Sequence, residues 1–191
     1  MHLILTIHWL SYCLYHSILA DNNVKNFFLK FFKITLTSYR LIYNIIAFLW
    51  LMVVLYIHVA MKSKVLFYTN SYTNVAAAIG VLGGAGIMLA CIVKYFSQLS
   101  GLKDPALTDK LQTQGLHQWV RHPLYFGTFV FITGLLLFFP LLKNLIAVLV
   151  IIIYTLAGTL LEEKKLVIQF GEDYIKYKKK VPMILPRVKL R

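Results

Sequence analysis

Two clusters in this 191-residue chain hold side chains able to do chemistry, Arg121-His122-Pro123 and Glu162-Glu163. Proline is favoured in the first turn of a helix. The free backbone N–H groups of that turn, beside a guanidinium, suit a carboxylate or another anion. Glu162 and Glu163 follow a long apolar run, where two adjacent carboxylates are costly unless a cation meets them. An Arg–Glu salt bridge would satisfy both clusters. So would a ligand carrying both a carboxylate and an ammonium, such as the amino-acid portion of S-adenosylmethionine. The two clusters alone leave both readings open.

The elements that must position these residues are membrane spans. Hydrophobic residues make up 59% of the chain and the mean hydropathy is +0.71, too apolar for a soluble domain. The net charge of +13 does not indicate nucleic-acid binding, because the basic residues flank apolar runs as membrane orientation requires. Five segments suit a crossing, which takes about 20 residues. They run from about His2 to Ala20, Leu41 to Met61, Val75 to Phe96, just after Pro123 to near Pro140, and Asn144 to Leu161. The first lacks a basic leader and carries His8, Tyr12 and His16, so it reads poorly as a cleaved signal peptide. The third has Ala76, Gly80 and Gly84 on one face, where another helix can approach closely.

Only Leu141, Leu142 and Lys143 separate the last two spans, which predicts a tight antiparallel hairpin. The hairpin returns the chain to its starting side and so brings Glu162-Glu163 back towards Arg121-His122. With the amino terminus outside, seventeen Lys and Arg fall on the cytosolic side against three outside, Lys62, Lys64 and Lys143. That asymmetry puts both clusters and the carboxyl terminus in the cytosol. Beyond the fifth span, Leu166, Phe170, Tyr174 and Tyr177 recur at helical spacing. They predict an amphipathic helix at the membrane surface or folded over the hairpin, ended by Val181-Pro182. Lys178-Lys179-Lys180 suits anionic lipid. Cys13 and Cys91 have no metal-ligand or disulfide spacing.

The stretch LQTQGLHQWVRHPLYFG (111–127), then the hairpin, then LEEKKLVIQFGEDYIKYKKKVPMILP (161–186) resembles the isoprenylcysteine carboxyl methyltransferase superfamily of membrane methyltransferases. The upstream stretches HSILADNNVK (16–25) and YRLIYNIIA (39–47) are similar to a bacterial branch with NnrU-like proteins and methanethiol S-methyltransferases. The resemblance implies one all-α integral membrane domain with about five transmembrane helices. Three N-terminal spans (1–99) would precede a cofactor-binding core (100–191), whose C-terminal amphipathic helix closes a cytosolic pocket. It implies S-adenosylmethionine as cofactor, held by Leu111, Gly115, His117, Arg121, His122, Pro123 and Glu162. His117 stands where the family commonly has a tyrosine. Gly158 stands where the prenyl-protein enzymes have an arginine near the carboxylate substrate, which favours a small thiol or lipophilic acceptor. A thiol acceptor needs a proton acceptor, for which His122, His117, Tyr125 and a water are candidates. The bacterial branch points to an inner membrane.

Overall fold

A computed structural model describes residues 2–99 and 111–187, with the side chains of all of these except 95–99. Six α-helices span His2–Ala20 (α1), Asn22–Phe32 (α2), Leu36–Ala60 (α3), Ser71–Leu99 (α4), Pro123–Phe138 (α5) and Leu142–Lys180 (α6). A 3₁₀ turn at Gly115–Gln118 precedes α5. Among the described residues the only β pairing is one bridge, Val65 to Leu141. Lys103, Lys110, Lys189 and Arg191, all counted above as cytosolic, lie outside the described residues.

Among the described residues four helices, α1, α3, α4 and α6, are long and apolar enough to cross a membrane. The fifth expected span, α5, has 16 residues, about 24 Å of helix against a hydrocarbon core of about 30 Å. The protein is therefore an all-α integral membrane protein with four full-length spans and one short apolar helix. Two features differ from expectation. The basic stretch after α1 is a helix, α2, and the fifth span continues without interruption past Leu161 into the tail. The break comes later, at Gly171 (φ 54°, ψ −129°), a conformation essentially restricted to glycine. There the helix turns back on itself, so that residues 172–180 form the amphipathic tail helix.

The chain divides into two compact units. The first comprises Met1–Leu66 and Leu141–Ile151. Its core is Leu5, Trp9, Val54 and Ala147. A polar chain runs through it, since a polar group in a span must be satisfied by its neighbours. Trp9 Nε1 donates to His58 Nδ1 (3.3 Å), and His58 Nε2 lies 2.8 Å from Asn144 Oδ1. The Lys143 ammonium donates to the carbonyls of Val59 and Met61 at the end of α3, a favourable place for a cation.

The second unit comprises Phe67–Pro140 and Ile152–Arg191. In it α4 and α5 pack through glycines on both helices. A Cβ built on Gly84 would sit 2.5 Å from Phe131 N and 2.7 Å from Gly127 O. One on Gly134 would sit 2.7 Å from Val81 N, and Gly80 meets Gly134 Cα at 3.1 Å. The small face expected on α4 is thus a backbone-to-backbone seam. Its counterpart on α5, Gly127 and Gly134, holds the short helix that carries the RHP motif.

Candidate functional site

Residue 122 is the N-cap of α5 and Pro123 its first residue, where the missing proline N–H costs nothing. The preceding backbone is fixed by the C-terminal strap, residues 181–187, which follows α6. Arg121 N donates to Pro182 O (2.9 Å) and His122 N to Met183 O (3.0 Å). This pairing holds Arg121 and His122 inside the protein, each 8% exposed.

Arg121 turns to Glu163. Its Nε donates to Oε1 at 2.7 Å and its Nη2 lies 2.5 Å from the same oxygen. Its Nη1 donates to the carbonyls of Lys178 (3.1 Å) and Val181 (2.5 Å), which are the orphan acceptors of the tail-helix terminus. Lys178 Nζ holds the other Glu163 oxygen, Oε2, at 2.9 Å. Glu163 and Lys178 stand fifteen positions apart along α6, about 22 Å if it were straight. Only the break at Gly171 brings them together. The network ties the start of α5, the middle of α6, the tail helix and the strap into one knot.

Glu162 is placed differently. Its side chain is 45% exposed, and it accepts from Tyr125 Oη at 3.1 Å. The His122 and Tyr125 rings stack, with centroids 5.5 Å apart and planes 11° apart. His122 lies between the two glutamates, its Nε2 3.4 Å from Glu163 Oε1 and its Nδ1 3.7 Å from Glu162 Oε2. Neutral imidazole has one N–H to share between them.

Burial pushes the His122 pKa below its ordinary value, and the glutamates only partly offset this. His117 is also held low, by burial and then by His122 and Lys94. For Glu163, which lies beyond the apolar part of α6, burial pushes upward. The cations Lys178 and Arg121 override it and hold the carboxyl below its ordinary value. The signs agree. Each of these groups binds fewer protons folded than unfolded, so each contributes stability at high pH that acid removes. Thermal stability is expected to be flat above neutrality, to fall as pH drops below 6.5 for the histidines, and to fall again below 4.5 for Glu163. Melting curves across pH check this. The first step should shrink in His122→Asn and in His117→Asn; an unchanged step in both would rule out the assignment.

The remaining expected residues lie in the same unit. Leu111 is half-buried. Gly115 has φ +66°, and a Cβ there would meet Lys94 Nζ at 2.8 Å. The carbonyl of His117 accepts from Tyr177 Oη at 2.6 Å. Four of the named residues, Arg121, His122, Tyr125 and Glu162, come together with Glu163. Sequence reasoning missed the parts played by Glu163, Lys178 and Tyr174. Tyr174 is 1% exposed. Its hydroxyl sits beside Glu163 and Arg121, short of hydrogen-bond geometry with either. The apolar stripe that includes Tyr174 and Tyr177 was the available signal. A groove of about 310 Å³ lies along α4 and α5, lined by Ala76, Gly80, Phe126, Phe129, Val130, Thr133, Gly134, Leu137 and Leu185. No residue of the charged cluster lines it.

Apolar helices ending in a buried Arg–Glu pair braced by a half-exposed lysine, with a half-exposed carboxylate beside it, define an α-helical integral membrane protein with a polar site at the start of α5. Residues 4–181 match the DUF1295 family, described as a protein of unknown function, and the chain belongs to that family. It is similar to a methanethiol S-methyltransferase of Pseudomonas deceptionensis, 35% identical over 120 residues, covering 56% of this chain and 44% of the relative. A methanethiol S-methyltransferase of Crocosphaera subtropica is 39% identical over 79 residues, 40% of this chain and 29% of the relative. A protein-S-isoprenylcysteine O-methyltransferase of Xenopus laevis is 32% identical over 130 residues, 62% of this chain and 42% of the relative. Both kinds of relative bear out the resemblance to the isoprenylcysteine carboxyl methyltransferase superfamily. The chain spans less than half the length of these curated relatives. No solved structure matches it.

Proposed function

We propose that this protein is an S-adenosylmethionine-dependent membrane methyltransferase that methylates a small thiol or a lipophilic acceptor. The observation that carries the reading is the division of labour between the glutamates. Glu163 is taken up by Arg121 and Lys178, whereas Glu162 keeps a half-exposed carboxylate beside two stacked aromatic rings. Such a carboxylate suits an ammonium. The residues therefore fit the cofactor. Glu162 would hold its ammonium, with Leu111, Gly115 and His117 along the segment before α5. Arg121, His122 and Pro123 would order the pocket wall.

When bound, S-adenosylmethionine supplies a methyl group on a sulfonium, open to in-line displacement. The chain's contribution is alignment and exclusion of water. A thiol must lose its proton to become a nucleophile. His122, held neutral by burial, can accept that proton, and Glu162 and Glu163 stabilise the imidazolium formed. Tyr125 fixes the Glu162 carboxylate while this happens. The apolar groove along α4 and α5 is of a size to take a lipophilic acceptor. At Gly158 a built Cβ meets nothing within 4 Å, and no cation is supplied there for a carboxylate substrate. The likeness to bacterial proteins favours an inner membrane, and the basic residues favour an orientation with the amino terminus outside and the clusters in the cytosol.

The test is incubation of purified protein with methyl-labelled S-adenosylmethionine and a panel of methanethiol, prenylcysteine and phosphatidylethanolamine. Transfer to methanethiol is expected, with cofactor affinity at least tenfold weaker in Glu162→Gln because a charge-assisted contact is lost. Wild-type protein that binds no cofactor would instead support a non-catalytic, NnrU-like membrane role. Transfer only to prenylcysteine would reverse the weight given to Gly158.

A further inference from the structure

We propose that α2 is an in-plane membrane helix that seats its phenylalanine face in one leaflet and gathers anionic phospholipid headgroups around its lysines. The helix is short and firmly bounded. Asp21 caps its start, accepting from the N–H groups of Asn23 (2.8 Å) and Val24 (3.3 Å). Lys33 ends it in the left-handed conformation (φ 51°) and Thr35 caps α3 immediately afterwards. The helix therefore has a fixed place between α1 and α3, both candidate spans. Its 11 residues cover about 16 Å, too little to cross a bilayer. Two consecutive spans joined by so short a segment must leave it at one membrane boundary.

At that boundary the helix is amphipathic. Val24, Phe27, Phe28, Phe31 and Phe32 share one side at helical spacing, with Asn26 and Lys30 opposite, Lys25 at the edge and Lys33 just past the helix end. Phe28 packs on Tyr39 of α3, ring centroids 6.0 Å apart, and Tyr39 in turn donates to the Leu19 carbonyl at 2.7 Å. That anchors the helix. Phe27, Phe31 and Phe32 remain 60%, 68% and 56% exposed. Three adjacent phenylalanines facing water would be a costly apolar patch, whereas aromatic residues on one face and lysines on the other are what an interfacial helix presents to lipid. The charge is one-sided too. Asp21 is the only acidic residue in the segment and is spent on the cap, leaving Lys25, Lys30 and Lys33 with no nearby acidic residue in the sequence. Anionic headgroups complement that surface.

The test uses the full chain in phosphatidylcholine vesicles containing a minority of phosphatidylglycerol, with Cys13 and Cys91 replaced by alanine. A fluorophore is attached at Phe31→Cys or at Asn26→Cys. Nitroxide near the top of the acyl chain should quench the label at 31 strongly and that at 26 weakly, while aqueous iodide should do the reverse. Headgroup-labelled phosphatidylglycerol should quench the label at 26 more than labelled phosphatidylcholine does. That preference should fall severalfold when Lys25, Lys30 and Lys33 are all changed to glutamine. Iodide reaching position 31 overturns the proposal. So does a label there shielded from both quenchers, which would mean another protein surface covers the face. Equal quenching by the two headgroups, or a preference that survives the three glutamines, overturns the anionic component.

Discussion

Glu163→Gln is expected to lower the stability of the protein by about 3–5 kcal/mol, the cost of leaving a buried charge without its partner. Arg121 and Glu163 side chains are 6% and 3% exposed, so water cannot replace the lost carboxylate. The guanidinium would keep its bonds to the carbonyls of Lys178 and Val181, but those are dipoles and do not neutralise it. The apparent melting temperature in lipid nanodiscs should drop by roughly 10 °C, on the usual scaling for a chain of this size. Glu162→Gln is the informative neighbour. Its carboxylate is half-exposed, so the change should move stability by no more than about 0.5 kcal/mol while abolishing most cofactor binding. Lys178→Gln should cost under about 1 kcal/mol, since its side chain is 49% exposed and screened. If Glu163→Gln and Glu162→Gln melt together, the assignment of one glutamate to the fold and the other to the ligand is wrong.

The different placement of the two glutamates was the part of the site the sequence could not resolve. Adjacent residues on a helix point about 100° apart, and which of the two faces Arg121 depends on the rotation of α6 against α5, set by packing. The meeting of the clusters was legible, because a short connection between two apolar runs forces the chain back to the same end. Lys178 was read as one of three lipid-facing lysines. Its role depends on the reversal at Gly171, and a glycine inside an amphipathic repeat gives no sign that the helix folds there. The spans His2–Ala20 and Leu36–Ala60 were legible from apolar length, the first to the residue and the second to within five at its start. Helix α2 was not, since 11 residues fall short of any span and its lysines were counted only as cytosolic charge. The seam on α4 was legible as a small face, but its partner glycines, Gly127 and Gly134, stand seven residues apart and lack the four-residue spacing that marked α4.

That seam is where the second large effect is expected. Gly84→Ala adds one methyl group, and its position is fixed by the backbone. It would lie 2.5 Å from Phe131 N and 2.7 Å from Gly127 O, atoms of the facing helix that cannot rotate aside. The helices must separate along their length. Overpacking a core ordinarily costs about 1–3 kcal/mol when side chains can adjust, so a clash against backbone belongs at or above the top of that range. Gly83→Ala and Gly86→Ala are matched controls on the same helix. A Cβ at either meets nothing within 4 Å, and alanine is the better helix former, so both should melt at or above the wild-type temperature. Gly134→Ala should behave like Gly84→Ala, because its Cβ would meet Val81 N at 2.7 Å. The effect should also reach the site. His122 and Tyr125 ride on the first turn of α5, so a displaced α5 moves them against Glu162 on α6. Cofactor binding should weaken in Gly84→Ala at temperatures where the protein is still folded, and stay intact in Gly83→Ala. Equal melting and equal binding in the two variants would mean that the glycine seam does not hold α5 in place, and that the RHP turn is positioned by the strap alone.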